Sequence, residues 1–354
     1  MKKKLISVLI CAAMTAALAA GCGSTEPAGT PDGSGDAANT PAKPDKVYTI
    51  TVTQHDPEAS STGEFLNNWA AEIEEKSGGA IDVQVHHGGT IAGPKDSIDA
   101  VLNGTVDVAW GNQAFYTGQF PVTSVFTIPG LDIERATQGS EAFWNFYNNY
   151  DYLDAEYSQY HVLFLHVNCS SPIATTNTKI ETVEDMKGMK LRGNSGPPAD
   201  FVTALGASAE ACAIGDLYSN LDKGVYDGCI TDWHAIESFK LYETVEYILD
   251  VNVGCSTYFL LMNQDSYAKL PADLQKIVDE VSADAGKYTE TWDVCEDRVR
   301  AMDGVKEKLY TLSDEENAKL RAIEDKIIEK WIADTENGQE IFDAVTKELE
   351  AAKK

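Results

Sequence analysis

From residue 48 onward the apolar residues of this chain switch repeatedly between a period of two and a period of 3.6. That alternation constrains the fold more than any other feature. YTITVTQ (48–54) sets Tyr48, Ile50 and Val52 on one face, as a half-buried strand does. Thr62 then caps a helix carrying Phe65, Leu66, Trp69, Ala70 and Ile73 on one stripe, closed by Gly78 and Gly79. IDVQVHH (81–87) alternates again, residues 97–103 read as a short helix, and VDVAW (106–110) as a buried strand. A second series follows, with strands at 162–167, 189–193 and 227–231 and helical stretches at 183–187, 200–205 and 216–223. STYFLLMN (256–263) is one more strand, placed to lead the chain back to the first series. The pattern predicts an α/β fold with largely parallel sheets, in two lobes.

The C-terminal third is helical. From Pro271 to about residue 302, Leu274, Ile277, Val278, Val281, Ala285, Tyr288, Trp292 and Cys295 keep helical spacing. Roughly 30 residues at 1.5 Å each span about 45 Å, more than one small domain is wide, so this helix is expected to brace both lobes. SDEE (313–316) has the form of a capping box opening a helix that ends near Trp331, and a last helix lies near 338–352.

The other end of the chain has a different character. Lys2, Lys3 and Lys4 precede an apolar run from Leu5 to Ala20, the arrangement of a signal peptide covering residues 1–21. The run is too short for a good membrane-spanning helix. Leu18-Ala19-Ala20-Gly21-Cys22 resembles a bacterial lipobox with its leucine one place early, which makes Cys22 the expected lipidation site. Ordinary cleavage after a small residue is the alternative. Residues 23–46 contain no large apolar side chain and read as a disordered tether after the lipidated cysteine. The expected organisation is therefore lobe I at 47–165 plus about 255–295, and lobe II at 166–254 plus about 296–354 with the C-terminal helices. The implied location is extracytoplasmic, held to the membrane by lipid.

Composition excludes more than it assigns. A net charge of −28 argues against nucleic acid or anionic lipid as a partner. Cys169, Cys212, Cys229, Cys255 and Cys295 show no CxxC spacing and sit among small or apolar residues; buried free thiols are the simpler reading, with one disulfide left open. No GxSxG, P-loop, HExxH or zinc-spaced Cys/His pair occurs, so neither a catalytic residue, a metal nor a cofactor is expected. His86 and His87 are adjacent in a strand and point to opposite faces.

Five arginines are present, and four of them (Arg135, Arg298, Arg300, Arg321) lie among acidic residues where ion pairing is natural. Arg192 ends a strand and precedes the glycine-containing loop GNSGPP. Strand ends at a cleft are where open α/β sheets hold ligands, and a guanidinium there can grip a carboxylate through two parallel hydrogen bonds. A structural salt bridge is the competing reading.

Taken in order, several segments resemble the substrate-binding proteins of tripartite ATP-independent periplasmic (TRAP) transporters, the DctP-like family. They are FLNNWAAEIEEKSGGAIDVQV, GGTIAGPKDSIDAVLNGTVDVAW, FPVTSVFTIPGL, TNTKIETVEDMKGMKLRG, ALGAS, DLYSNLDKGVYDG and LPADLQKIVDE. The resemblance covers about residues 47–315 and implies a periplasmic-binding-protein-like fold, two lobes joined by crossing strands and a long shared helix. It implies capture of a small organic acid and delivery to a permease of small and large membrane subunits, without catalysis. The family's carboxylate-binding arginine falls on Arg192 of KGMKLRG. Where many members read DGQENP this chain reads DGCITDW, so Thr231 stands for the usual asparagine and Trp233 matches one branch of the family. A second arginine known from sialic-acid binders is absent, with Pro172 about there, which points to a monocarboxylate with an apolar or aromatic body. Further cleft positions fall on Gln54, His55, Trp110, Asn112, Asn168 and Ile214. Core packing is the alternative for Trp110, Ile214 and Trp233, and an exposed loop for His55. Two other classes stay open: a lipoprotein sensor with this fold, and an exported enzyme.

Overall fold

A computed structural model describes residues 46–353; the signal segment, Cys22 and the tether up to residue 45 lie outside them. Eleven strands run in chain order: β1 (Tyr48–Thr53), β2 (Ile81–His86), β3 (Val108–Asn112), β4 (Tyr160–Val167), β5 (Ile173–Thr175), β6 (Lys190–Arg192), β7 (Ser208–Glu210), β8 (Gly228–Ile230), β9 (Tyr247–Leu249), β10 (Thr257–Asn263) and β11 (Leu309–Tyr310). The helices are α1 (Ser61–Lys76), α2 (Ser97–Leu102), α3 (Ala136–Asn149), α4 (Asp154–Tyr157), α5 (Pro197–Ala204) and α6 (Ile214–Asp222), followed by α7 (Trp233–Ser238), α8 (Gln264–Ala268), α9 (Ala272–Ala283), α10 (Glu290–Ala301), α11 (Asp314–Asp334) and α12 (Gly338–Ala351).

Two sheets form, in the orders β2-β1-β3-β10-β4 and β11-β9-β5-β8-β6-β7. The alternation predicted largely parallel sheets; both are mixed. β10 runs antiparallel to both β3 and β4, and β5 antiparallel to both β8 and β9. β5 and β10 are the strands by which the chain enters each sheet from the other, so they start where their neighbours end. Their lead-in segments run side by side: Ser256 N donates to Asn168 Oδ1 at 2.8 Å, Ser171 N to Gly254 O at 2.9 Å and Val253 N to Ser171 O at 3.0 Å. The carboxyl ends of β1, β3 and β4 therefore face the same gap as those of β6 and β8.

The first sheet packs on α1 through a dense aromatic core. Phe65, Trp69, Phe164 and Trp292 are fully buried, with Phe65 against Phe164 at 6.2 Å and Trp292 at 5.5 Å between ring centres. Burial of each such ring contributes about 2–3 kcal/mol. α1 is capped by Ser60, whose Oγ accepts from Gly63 N; Thr62, the expected cap, instead donates to Asp56 at 2.7 Å. A Cβ at Gly63 would stand 1.9 Å from Glu58 O, so only glycine lets the 55–60 loop lie on the start of the helix.

The bracing helix is interrupted. α9 ends at Ala283, a 3₁₀ turn spans Ala285–Thr289, and α10 resumes at Glu290. A Cβ at Gly286 would stand 3.7 Å from Phe164 Cζ, and glycine is a poor helix former, by about 0.8–1.0 kcal/mol against alanine. The turn lets Val278, Val281 and Ala285 on one side and Trp292, Cys295 and Val299 on the other all be buried. α10 still touches both lobes. Asp293 accepts from Ala136 N and Thr137 N at the start of α3, while Arg300 pairs with Asp250 and lies 4.4 Å over Trp233.

The C-terminal chain departs from the expected division at about residue 296. α12 packs on α3 of the first lobe, where Gln138 Nε2 donates to Leu349 O, and Trp331 Nε1 at the end of α11 donates to Ser124 Oγ. At the start of α11, Ser313 accepts from Glu316 N, but the Glu316 carboxylate turns away to accept from Val183 N at 2.8 Å, so only half a capping box forms. The five cysteines 169, 212, 229, 255 and 295 are free thiols, all but Cys212 buried.

Candidate functional site

The gap between the sheets is a cleft partly open to solvent. The first lobe lines it with His55 and Asp56 after β1, Asn112 at the end of β3, Phe115, Ser256 and Tyr258; the second with Arg192, Asn194, Ile214, Thr231, Asp232, His234 and Phe239. This is where open α/β sheets hold ligands, beyond the carboxyl ends of their strands. Two hydrogen bonds join the lobes across it: Asn194 Nδ2 to Ser256 Oγ at 2.8 Å and Ser195 Oγ to Ala114 O at 2.7 Å. Gly196, at φ +80°, turns that loop into α5, which Pro197 starts.

Arg192 is 5% exposed and ends a three-residue strand. Its Nη2 reaches only Cys212 O, at 3.5 Å, and its Nε has no partner. Among the described residues the other four arginines all hold carboxylates: Arg135 with Asp297, Arg298 with Glu237, Arg300 with Asp250 and Glu296, and Arg321 with Glu324. Among the described residues no salt bridge engages Arg192. A buried cation without a counter-charge is costly, by several kcal/mol, and is ready to accept an anion.

Two His–Asp pairs flank the cleft. His55 Nε2 lies 3.8 Å from Asp56 Oδ1, and His234 Nδ1 lies 3.7 Å from Asp232 Oδ1. Burial pulls the His55 pKa down. Burial acts the same way on His234, but its pairing with Asp232 and the charges of Asp56, Asp232 and Glu237 outweigh it and raise that pKa. Burial would raise the Asp232 pKa; His234 and the backbone N–H groups it caps bring it below the usual value. Ala235 N donates to Asp232 at 2.9 Å, which makes Asp232 the cap of α7.

Of the nine expected ligand positions, the structure brings five to the cleft: Arg192, Thr231, Asn112, His55 and Ile214. Four lie outside its lining. Trp110 is buried, stacked on Tyr258 at 4.6 Å, with Nε1 donating to His166 at 2.9 Å. Trp233 is buried under Arg300 and donates to Ser170. Gln54 folds back onto Asp56, accepting from its N–H and donating to its carbonyl, and Asn168 holds the crossing segments together. In each case a neighbour in the hinge or core draws the polar atom inward. Asp56, Asp232 and His234 were missed; they lie two to four residues past the ends of β1 and β8, whereas Arg192 is itself the last residue of β6. Among the described residues no cluster of His, Cys, Asp or Glu could hold a metal ion.

Comparison with known proteins agrees with this layout. The family model DctP, "Bacterial extracellular solute-binding protein, family 7", matches residues 52–335. The ectoine-binding periplasmic protein TeaA of Halomonas elongata is 24% identical over 319 residues, covering 82% of this chain and 92% of that protein. A marine metagenome TRAP solute-binding protein specific for aromatic acid ligands, solved with 3-hydroxybenzoate, superposes with a TM-score of 0.81 at 22% identity, covering 87% of this chain and all of that one. A TRAP solute-binding protein from Rhodoferax ferrireducens, solved with copurified benzoate, gives 0.80 at 23% identity, over 86% and 98% of the two chains. These likenesses establish the two-lobed binding-protein fold.

Proposed function

This chain belongs to the bacterial extracellular solute-binding proteins of family 7, and from that premise we propose that it captures a small organic acid by its carboxylate on Arg192. The observation that carries the reading is the unpaired guanidinium in the cleft. A carboxylate arriving there gains charge-assisted hydrogen bonds in a partly dry site, each stronger than its equivalent in water. Thr231 offers a hydroxyl and Asn112 an amide beside it. The apolar wall for the body of the acid is Phe115, Phe239 and Ile214 rather than the two tryptophans. Solved relatives are named for aromatic acids and benzoate, which supports an acid of that size and character.

Ligand in the gap favours the arrangement in which the lobes are bonded to each other, and that arrangement is the signal a partner can read. The partner is a TRAP permease of small and large membrane subunits, and Cys22, outside the described residues, is the lipid anchor that keeps the carrier beside it.

Calorimetry against a series of organic acids tests the reading. Arg192→Ala is expected to weaken binding about 100-fold, ~2.7 kcal/mol, and Arg192→Lys to restore only part of it. An affinity unchanged in Arg192→Ala means that no carboxylate sits there. Mass spectrometry of the membrane-bound protein should find acyl chains on Cys22; an N-terminus without them overturns the anchor.

A further inference from the structure

Of the buried side-chain atoms left without a partner among the described residues, three belong to cleft-lining side chains: Arg192 Nε, His55 Nδ1 and His234 Nε2. Native proteins leave few such atoms, and each calls for a reason. Arg192 has one in the ligand carboxylate. The two imidazole nitrogens do not.

Their surroundings fix what each can offer. The His55 side chain is 8% exposed, its ring held 5.2 Å from Trp110 and 5.6 Å from Phe115. Burial keeps it neutral, and its Nε2 is the nitrogen turned to the Asp56 carboxylate, so the proton belongs there. Nδ1 is then a bare lone pair, an acceptor. His234, 6% exposed at its side chain, turns Nδ1 to Asp232. The charged groups facing it are Asp232, Asp56 and Glu237, the last tied to Arg298, with His55 the nearby imidazole. Together they favour the protonated ring, whose Nε2–H is a donor. His55 and His234 both line the cleft, one with a lone pair and the other with an N–H that has no partner.

A hydroxyl is the simplest group that meets both, since it donates one hydrogen bond and accepts others. A carbonyl would satisfy His234 and leave His55 bare. A second carboxylate would meet the lone pair of His55 and the charges of Asp56 and Asp232. A methylene would leave both nitrogens unpaired. We infer that the cleft selects acids bearing a hydroxyl, read jointly by His55 and His234, over their deoxy counterparts and over dicarboxylates. The inference rests on capture of the ligand carboxylate by Arg192.

The test is calorimetry of the full chain with matched acids: mandelate and phenylacetate, 3-hydroxybenzoate and benzoate, lactate and propionate, with isophthalate as the dicarboxylate. In at least one pair the hydroxylated acid should bind roughly tenfold or more tightly, because its absence leaves buried polar atoms unpaired. Isophthalate should bind more weakly than 3-hydroxybenzoate. His234→Ala and His55→Ala should each cut the preference to below about threefold, the coupling a double-mutant cycle detects. His234→Gln, which retains an amide donor, should keep part of the preference, and it serves where His234→Ala fails to fold. Equal affinities within every pair, or a preference that survives both histidine exchanges, overturns the inference while leaving Arg192 in place. Binding of no acid by the wild-type chain overturns the carboxylate reading itself, and the inference with it.

Discussion

The two lobes present opposite kinds of wall to one cleft. The first is built on strands of five to eight residues over a core of Phe65, Trp69, Phe164 and Trp292, and the fully buried His166 among them is fully employed. His166 accepts from Trp110 Nε1 through Nε2 and donates from Nδ1 to Val167 O. The second lobe is built on strands of two or three residues and ends one of them in a buried arginine with no counter-charge. The second lobe leaves a cation for something outside the chain; the first leaves only uncharged groups, among them the cleft-lining His55 Nδ1. The contrast separates platform from receptor. Damage to the first lobe should be read in stability, and damage to Arg192 in binding.

The largest effect should come from the platform. Trp69→Ala removes a fully buried ring and its bond to Ser282, and should cost about 3–5 kcal/mol in denaturant unfolding. A loss below about 1 kcal/mol would mean that the first lobe is not the stable half. Arg192→Ala makes the opposite case. It should weaken ligand binding as above yet leave the melting temperature of the empty protein unchanged or raised by a few degrees, about 4 °C at most, since an unpaired buried charge is gone. A fall of similar size would show that the guanidinium supports the fold.

Acid should act on the platform first. Burial lowers the His166 pKa to about 3 from 6.5, so its contribution to stability is complete above pH 6.5 and is lost as pH falls toward 3. Unfolding measured from pH 6.5 to 5 should cost the wild-type chain about 2 kcal/mol more than a His166→Gln variant, whose amide can replace both hydrogen bonds without taking up a proton. Parallel pH profiles would remove His166 from the account. The smallest effect lies where the lobes are braced. Asp293 of α10 accepts from Ala136 N and Thr137 N, and Asp293→Ala should cost about 1–2 kcal/mol, near that of a lost helix cap. If it changed ligand affinity more than stability, α10 would be part of the binding machinery rather than a strut.

Much of this was legible in residue order. The strands of the first sheet, the stripe on α1 and the return strand at 257–263 all stand out by period, because period depends only on which face is buried. Arg192 stood out for a related reason, a charge at a strand end beside glycine. Asp56, Asp232 and His234 lie two to four residues past the ends of β1 and β8 with no glycine beside them, so that rule passes over them. Trp110 and Trp233 went the other way: large aromatic residues near a cleft read equally well as ligand contacts or as core, and only their neighbours, Tyr258 and Arg300, settle which.

What the sequence determined by itself was local: an α/β alternation and one arginine set apart from its acidic surroundings. Only the tertiary structure decided which polar atoms are left over. A guanidinium or an imidazole is free or employed according to groups far away in the chain, as Arg135 is employed by Asp297 and Arg192 by no carboxylate. Hydrogen-bond satisfaction is a property of the folded neighbourhood, and the unsatisfied remainder at the cleft is what a ligand would complete.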